Sequence, residues 1–313
     1  MIKKPFFSVI ISVFNKQQYI EKTIWSVINQ SFDDFEIIIV NDGSTDNSLE
    51  LIEKFEDPRI SHFTIKNQGP SHARNYGIKK ARAEFVALLD GDDLWHPMHL
   101  YTIFQLIKKF PNAGAYSSGY NIQVFGKHIK KTKLNGIPEN YIGLVKNYFD
   151  HNLYDSVINS SVAVIPKFVF DDIGFFNETV KSGEDTLLWI KIALKYPFAI
   201  NTIVTATIIK NNQGLSQSNH YKDRLLIFDT FKKEEKVNKS LKKYLDLNRF
   251  ALVLLMKRNN EIKSAKTLIS EMNMKNLNKK QKLILHLSPK FLRSLYTLKQ
   301  FLEEKRLFLY LYR

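Results

Sequence analysis

The sequence predicts an α/β fold with helices packed around a central sheet, followed by a mainly helical, basic C-terminal extension. In the first hundred residues, short runs of β-branched and aromatic residues alternate with segments of helical hydrophobic spacing, as in strand-helix-strand units. Two of these runs end in clusters of acidic residues. From about residue 221 onward, leucines recur at helical spacing among many lysines, which favours helices rather than further strands.

Four strands are predicted from apolar runs at residues 6–13, 35–40, 60–65 and 85–89. The first two runs are almost continuously apolar, as expected of strands that are covered on both faces. The first run follows two lysines and superficially resembles a signal peptide. Because it is short and passes directly into Asn15 without a small-residue cleavage site, we interpret it as the first buried strand.

Helices are predicted between these strands. Ile20, Ile24 and Val27 recur at helical spacing, and the oxygen-bearing side chains of residues 44–46 are expected to cap a second helix. Ser71 is expected to cap a third helix that extends to residue 81. In such sheets, ligands bind beyond the carboxyl ends of the strands, so we expect the chemistry to lie just after each strand.

The composition excludes several classes of protein. The chain has 313 residues, of which 44% are hydrophobic, enough to bury a sizeable core. It contains no cysteine, which rules out disulfide frameworks, thiolate zinc sites and a cysteine nucleophile. No run of 18 apolar residues predicts a membrane span, and neither the G-x-G-x-x-G motif nor a P-loop is present.

The positive charge is concentrated at the C-terminus. Residues 1–220 contain 23 Lys and Arg against 22 Asp and Glu, whereas residues 221–313 contain 23 against 9. This asymmetry is typical of a near-neutral catalytic or binding unit held near an anionic surface, and no nucleic-acid motif accompanies the charge. We therefore divide the chain into a domain at 1–220, with halves 1–110 and 111–220, and an extension at 221–313.

The densest acidic cluster is Asp90-Gly91-Asp92-Asp93, directly after the fourth predicted strand. Three neighbouring carboxylates repel one another by roughly 1–4 kcal/mol per close pair, so a nearby cation is expected. Oxygen ligands of this kind suit Mg²⁺ or Mn²⁺, with substrate phosphates completing the shell. Asp90, Asp92 and Asp93 are therefore candidate metal ligands, and a solvated acidic turn is the alternative.

Two further residues are candidates for binding a nucleotide. Asp42 follows the second strand, where its carboxylate could accept hydrogen bonds from a base or a ribose, although an Asx-turn or capping role is equally open. Arg74 lies near the start of the third helix, where a cation and the helix dipole could both face a phosphate. A surface arginine is the alternative there.

These residues occur in motifs that resemble the family-2 glycosyltransferases of the GT-A fold. The motifs appear in the family's order over about residues 6–220: Ser8-Val9-Ile10-Ile11-Ser12-Val13-Phe14-Asn15, Ile38-Ile39-Val40-Asn41-Asp42-Gly43-Ser44-Thr45-Asp46, Ala73-Arg74-Asn75-Tyr76-Gly77, Leu88-Leu89-Asp90-Gly91-Asp92-Asp93 and Gly183-Glu184-Asp185. Each motif is weak alone, but the five together are specific. The resemblance implies a Rossmann-like mixed sheet flanked by helices.

The resemblance also implies roles on the donor side of the site. Ser12 and Phe14 would line the nucleoside pocket, and Asp42 would bind the base. Arg74 would lie beside the ribose or the diphosphate. Asp90 would belong, with the residue two positions later, to the DxD motif.

On the reaction itself, the resemblance implies that Asp92 is the main metal ligand and that Asp185 is the general base. A metal and an arginine would stabilise the leaving nucleoside diphosphate, and the base would take a proton from the incoming hydroxyl on the opposite face of the sugar. Such an attack inverts the anomeric centre. Trp189, one helical turn beyond Asp185, is a candidate for stacking on the acceptor, with a core position as the favoured alternative.

The chain departs from the family at two places. Many relatives carry an Arg-x-His motif near the end of the domain, but residues 210–216 read Lys-Asn-Asn-Gln-Gly-Leu-Ser, so the histidine is missing and Lys210 is a candidate substitute. The Gln-x-x-Arg-Trp motif of processive synthases is also absent. Transfer of a single sugar is therefore favoured.

The expected protein is a cytoplasmic glycosyltransferase that uses a UDP-sugar and Mn²⁺ or Mg²⁺ to extend a cell-surface glycan or glycolipid. The C-terminal extension is expected either to bind the inner face of the membrane through its lysines or to pack its apolar stripe on the catalytic domain. Two alternatives stay open: a nucleotidyltransferase, and a lipid- or partner-binding protein with a vestigial nucleotide pocket.

Overall fold

A ten-stranded mixed sheet organises the chain, with helices packed on both faces. The computed structural model describes residues 4–124, 128–153, 155–210 and 219–304. The strands are β1 (Phe7–Val13), β2 (Phe35–Asn41), β3 (Ile60–Thr64), β4 (Phe85–Asp90), β5 (Leu94–Trp95), β6 (Ala115–Val124), β7 (His128–Lys131), β8 (Ile142–Val145), β9 (Val164–Pro166) and β10 (Phe198–Lys210). The predicted α/β class is confirmed.

The helices connect and cover these strands. They are α1 (Ile20–Ile28), α2 (Ser48–Glu53), α3 (Pro70–Lys80), α4 (His99–Lys109), α5 (Tyr148–His151), α6 (Lys167–Ile173), α7 (Glu184–Lys195), α8 (Leu225–Thr230), α9 (Glu234–Val237), α10 (Lys239–Arg258), α11 (Ile262–Ser270), α12 (Lys279–His286) and α13 (Pro289–Glu304).

The four predicted strands are all present, each differing from the prediction by one residue at one end. They form the parallel part of the sheet in the order β3-β2-β1-β4. Beyond β4 the sheet continues through β9, β6, β10 and β5, where parallel and antiparallel pairs are mixed. The parallel strands all end at the same edge of the sheet.

The apolar runs are continuous because the sheet is buried on both faces. Successive side chains of a strand point to opposite faces. In β1, Val9 and Ile11 join the core beneath α1 and α4, whereas Ile10 joins the core that contains α3 and α7. These residues are almost fully buried. Neither face of the central strands therefore has room for a polar side chain without a partner.

The third helix begins differently from the prediction. Ser71 does not cap it, because α3 begins at Pro70, directly after Gly69 with φ +97°. Proline is favoured at the first helical position, where no backbone N–H is needed. Further along α3, a Cβ added at Gly77 would lie 2.4 Å from Ile10 Cγ2, so the glycine allows the helix to lie against β1.

The C-terminal helices pack on the domain formed by residues 1–220. Leu241, Leu245 and Val253 of α10 are buried in the same core as Tyr148 and Trp189. The apolar stripe of this extension therefore packs on the rest of the protein, which is one of the two arrangements expected from the sequence. Among the described residues, no helix is both long and apolar enough to cross a membrane.

A buried histidine predicts an acid-sensitive contribution to stability. His99 is fully buried, its Nδ1 lies 2.8 Å from Thr205 Oγ1, and burial, with a smaller effect from His96, lowers its pKa to about 3. Below about pH 6.5 the unfolded chain binds a proton there that the folded chain does not, so stability is lost as the pH falls from 6.5 towards 3. At pH 5 the loss is about 2 kcal/mol.

We therefore expect His99→Phe to show a shallower fall in the free energy of unfolding between pH 7 and pH 5 than the wild type, measured by urea unfolding. His62→Gln, at an exposed position on β3, is the matched control and keeps the wild-type slope. Identical slopes in wild type and His99→Phe would contradict the assignment.

Candidate active site

The register of the sheet brings Ser12 between the ends of two other strands. Ser12 of β1 pairs with Val40 of β2 on one side and with Asp90 of β4 on the other. Its hydroxyl lies 3.4 Å from Asp90 Oδ1. Phe14 follows β1 with 44% of its surface exposed, at the edge where β1, β2 and β4 end. Both residues therefore lie at the edge of the sheet where the parallel strands end, and their role in a nucleoside pocket stays a prediction.

Asp42 is a buried carboxylate that holds the loop before α3. Its Oδ1 accepts a hydrogen bond from Gln68 N at 2.9 Å, and its Oδ2 accepts one from Gly69 N at 2.8 Å. Burial raises the pKa of this carboxyl more than the two N–H groups lower it. Asp42 does not form the Asx-turn that the sequence allows, since both of its oxygens accept from the loop before α3; the local hydrogen bond is made by Asn41, whose Oδ1 accepts from Ser44 N.

Arg74 bridges two of the acidic segments. This buried side chain donates from Nη2 to Asp90 Oδ1 at 2.7 Å and from Nη1 to Glu184 Oε1 at 3.1 Å. Burial alone would lower the pKa of Arg74, but the carboxylates of Asp90 and Glu184 raise it above its usual range. The surface alternative for Arg74 is wrong, and residues 90–93 and 183–185 are brought together through this one side chain.

Lys16 was missed by sequence reasoning, yet it forms an ion pair at the predicted metal site. Its Nζ lies 2.5 Å from Asp92 Oδ2, and Asp92 is largely buried. Burial raises the pKa of the Asp92 carboxyl although Lys16 opposes this effect. Lys16 thus supplies a cation to the acidic cluster, although the two contacting residues are 76 positions apart in the sequence. No local sequence pattern predicts this contact.

Asp93 has a different environment from the other two aspartates of the cluster. It is buried, its Oδ2 accepts from Ser161 Oγ at 2.5 Å, and its Oδ1 accepts from Ile209 N at 2.7 Å. Burial and the neighbouring Asp92 and Asp90 raise the pKa of its carboxyl well above the usual range. Both carboxylate oxygens of Asp93 therefore bind the protein itself, at Ser161 and at Ile209 of β10. Asp93 has a structural role here, and the prediction that it is a metal ligand alongside Asp92 is not supported.

Asp185 lies in the first turn of α7, after Gly183 with φ +90°. Its Oδ1 accepts from Thr186 N at 2.6 Å, and its side chain lines two neighbouring cavities of about 300 and 330 Å³. The preceding residue, Glu184, is the one held by Arg74. Trp189, one turn further, is 2% exposed and packs edge-on against Phe176, so the core alternative describes it better than an exposed stacking platform.

The sequence of residues 8–174 matches the model of the glycosyl transferase family 2. This match covers more than half of the chain. The chain belongs to that family.

Curated relatives agree with this family. An uncharacterized glycosyltransferase of Rickettsia bellii is 34% identical over 193 residues, which are 59% of this chain and 26% of that protein. An uncharacterized glycosyltransferase of Haemophilus influenzae is 42% identical over 92 residues, which are 28% of this chain and 37% of that protein. The matched segments thus span well under half of either relative, and the Rickettsia bellii protein is much longer than this chain.

Solved structures share the fold of this family-2 chain. The crystal structure of S. aureus TarS 1–349 in complex with UDP-GlcNAc superposes with a TM-score of 0.69 at 21% identity, over 92% of this chain and 87% of that chain. The complex of the same fragment with UDP gives a TM-score of 0.61 at 21% identity, over 77% of this chain and 71% of that chain. The predicted GT-A fold is confirmed, with a helical C-terminal region.

The family-2 resemblance implies a metal, and the side chains present fit one only in part. No group of three or more His, Cys, Asp or Glu residues that could hold an ion exists within the described ranges. Asp90 and Asp92 offer oxygen ligands at the strand end, but Arg74 and Lys16 already contact them. Mg²⁺ usually needs only one or two carboxylates when substrate phosphates and waters complete its shell. These two aspartates therefore fit such an ion on two conditions. The nucleotide must supply the remaining oxygen ligands, and Lys16 must move away from Asp92.

The segment in which the family's histidine is missing falls mostly outside the described residues, at 211–216. Lys210 is described: it ends β10 with an exposed side chain, one residue after Ile209, whose N–H binds Asp93. Lys210 is therefore the sequence neighbour of Ile209, which is hydrogen-bonded to Asp93 of the acidic cluster. Its role as a substitute stays a prediction.

Proposed function

We propose that this chain is an inverting glycosyltransferase that moves one sugar from a UDP-sugar to a hydroxyl of a glycan or glycolipid acceptor. The observation that carries the proposal is the bridge from Asp90 through Arg74 to Glu184, at 2.7 and 3.1 Å. It holds the end of β4, where a diphosphate would bind, beside the first turn of α7, where Asp185 lines a cavity. Donor and acceptor chemistry would therefore meet at one place.

On the donor side, Ser12, Phe14 and Asp42 would surround the nucleoside, and Arg74 would meet the diphosphate. A buried guanidinium that stays charged is suited to phosphate, because it donates several hydrogen bonds in a fixed plane. S. aureus TarS, which shares the fold, has been crystallised with UDP and with UDP-GlcNAc. This supports a uridine nucleotide as the first donor class to test.

Asp90 and Asp92 would hold Mn²⁺ or Mg²⁺ together with the diphosphate oxygens. When bound, such an ion supplies positive charge to the leaving nucleoside diphosphate. The protein's own contribution there comes from Arg74 and Lys16, two cations already within hydrogen-bond distance of the same aspartates. Arg74 would balance negative charge that grows as the sugar departs, and Lys16 would do so after it has moved away from Asp92.

Asp185 would act as the general base for the attacking hydroxyl. It lines the cavity of about 330 Å³, to which neither Asp90 nor Glu184, the two carboxylates that Arg74 contacts, contributes. A single base on the face opposite the leaving group gives inversion without a covalent intermediate. Sugars of lipopolysaccharide, capsule or lipid-linked oligosaccharide are the proposed acceptors. Transfer of one sugar at a time is favoured over processive synthesis.

Peripheral association with the membrane is part of the proposal. Helices α12 and α13 carry both exposed apolar side chains and exposed lysines: Leu283, Phe291, Leu298 and Phe301, and Lys279, Lys280 and Lys290. Lysines near an anionic lipid surface contribute about 1 kcal/mol each, and apolar side chains add to this by insertion. A location on the inner face of the cell membrane stays a prediction.

The direct test is a screen of UDP-, GDP- and dTDP-sugars with Mn²⁺ or Mg²⁺. We expect a uridine nucleotide with metal to protect the protein against thermal unfolding, by about 2.7 kcal/mol at a hundredfold excess over Kd. We also expect release of UDP from the UDP-sugar when an acceptor is added. Absence of protection by every nucleotide would contradict the proposal and favour the non-catalytic alternative.

Replacement of Lys16 tests how the acidic cluster is balanced. Since Lys16 Nζ contacts Asp92 at 2.5 Å, we expect Lys16→Met to bind Mn²⁺ more tightly than the wild type in the absence of nucleotide. The expected gain is on the order of tenfold, because one competing charge is removed from a partly buried carboxylate. Calorimetric titration of the nucleotide-free protein measures it.

Lys22→Met, at an exposed position on α1, is the matched control and should leave Mn²⁺ affinity unchanged. Equal Mn²⁺ affinity in Lys16→Met and wild type would show that Lys16 does not compete for this site.

A further inference from the structure

The cavity of about 330 Å³ beside Asp185 has walls from both parts of the chain. Tyr148, Asn152 and Trp189 come from the domain formed by residues 1–220. Tyr244 and Asn248 come from α10 of the C-terminal extension. The basic C-terminal extension therefore lines the same cavity as Asp185, the predicted base.

The tyrosines of this cavity are held in place by one amide. Asn152 Nδ2 donates to the hydroxyl of Tyr148 at 3.0 Å and to that of Tyr244 at 3.3 Å, and Asn152 Oδ1 accepts from Val157 N at 2.7 Å. Tyr148 and Tyr244 are both buried. Their positions are therefore fixed before any ligand arrives, which limits the entropy lost on binding.

The lining chemistry fits an uncharged, hydroxyl-rich ring. The lining combines aromatic residues with amide and hydroxyl groups that can both donate and accept hydrogen bonds, as small-molecule sites require for orientation, and Asp185 is the one charged residue among those described that line it. No lysine or arginine lines this cavity among the described residues, whereas the neighbouring cavity of about 300 Å³ includes Lys181 and Arg224. A phosphate would therefore favour the neighbouring cavity, and a sugar ring the first.

The geometry points to an acceptor subsite: we propose that this cavity holds the glycosyl unit that carries the attacking hydroxyl, with α10 as one wall. The proposal rests on the proposed function, since it assigns a substrate to the cavity on which Asp185 lies. It implies that residues 239–258 determine the choice of acceptor and not only the stability of the fold.

Ala251 offers a way to fill the cavity without disturbing the core. It is exposed, although its neighbours Phe250 and Leu252 are 1% and 2% exposed, and it lines both cavities. We expect Ala251→Phe to raise the KM for the acceptor at least tenfold. The affinity for UDP should stay within twofold of that of the wild type.

Ser264→Phe, at an exposed position of α11 that lines neither cavity, is the matched control for added aromatic bulk. It should leave the KM for the acceptor unchanged. Asn248→Leu changes the same wall without adding bulk, so it gives a second measurement if Ala251→Phe folds poorly. An unchanged acceptor KM in whichever of the two variants folds overturns the subsite.

Direct binding separates this proposal from the proposed function. Methyl β-glucoside, methyl β-galactoside and methyl N-acetyl-β-glucosaminide serve as probes in saturation-transfer NMR with the full chain and no nucleotide. We expect a signal with at least one probe in wild type and Ser264→Phe, and its loss in Ala251→Phe. No signal with any probe, or an equal signal in Ala251→Phe, overturns the subsite. If the probes bind but no UDP-sugar is turned over, the proposed function fails and the sugar-binding cavity stands.

Discussion

Asp185→Asn is expected to lower the rate of sugar transfer by about 10²–10⁴-fold, the range that a positioned general base usually contributes. The amide has the same shape and can still accept the hydrogen bond that Thr186 N gives to Oδ1 at 2.6 Å. It cannot take a proton from an incoming hydroxyl. Fold and nucleotide binding should therefore survive while the chemical step is lost.

The measurement is release of UDP with acceptor present, together with calorimetric binding of UDP to the same variant. Asp171→Asn, at an exposed position of α6, is the matched control and should transfer at the wild-type rate. A transfer rate within tenfold of wild type in Asp185→Asn would remove Asp185 from the role of base. Loss of UDP affinity along with activity would instead point to a collapsed site.

The parallel half of the fold was predictable because its strands are buried on both faces. Val9, Ile10 and Ile11 are all buried, so the run shows no polar interruption and is easily recognised. The second half was not predicted strand by strand. β9 has three residues and β5 two, and β10 changes register twice along β6, so their sequences carry little periodicity.

The site was predictable where residues follow a strand directly. Ser12 and Asp90 lie opposite each other in the register of β1 and β4, and parallel strands end at one edge. Lys16 and Glu184 were missed because their partners are 76 and 110 residues away in sequence. The chain has many lysines and acidic residues, and only the structure shows that Lys16 pairs with Asp92 and that Glu184 pairs with Arg74.

Within the acidic cluster, the family resemblance singled out Asp92, but the residue pattern alone could not separate Asp92 from Asp93. The two are adjacent and identical in type, yet one faces Lys16 and the other is bonded to Ile209 N and Ser161. The C-terminal extension shows the same limit. Leucines at helical spacing between lysines predict a helix, but whether the stripe meets lipid or protein depends on what lies opposite, here Tyr148 and Trp189.

Arg74→Met is expected to destabilise the protein by about 3–5 kcal/mol, because it leaves the largely buried carboxylate of Glu184 and the partly exposed carboxylate of Asp90 without their partner. Arg74 and Glu184 have only 7% and 13% of their side-chain surface exposed, so water would replace the lost contacts poorly. The second expected effect is weaker binding of UDP, since the same guanidinium is proposed to meet the diphosphate. Urea unfolding and calorimetry measure the two effects on one preparation.

Arg82→Met is the matched control. Arg82 is 52% exposed and pairs with Glu36, whose Oε1 also accepts from Ser8 Oγ and from Arg82 N. Glu36 is buried but keeps the hydrogen bonds from Ser8 Oγ and Arg82 N, and the guanidinium of Arg82 is half exposed, so this variant should lose clearly less stability than Arg74→Met. Arg74→Lys is an intermediate change. It keeps the positive charge, but lysine lacks the planar guanidinium with which Arg74 contacts Asp90 and Glu184 at the same time.

The three variants separate the two roles of Arg74. If Arg74→Lys recovers stability but not UDP affinity, the two-pronged contact matters for the ligand, and charge alone is enough for the fold. If Arg74→Met loses stability but binds UDP as wild type does, Arg74 only positions the strand end against α7. An unfolding free energy equal to that of wild type in Arg74→Met would contradict the bridge itself, and with it the joining of the two acidic segments on which the proposed site depends.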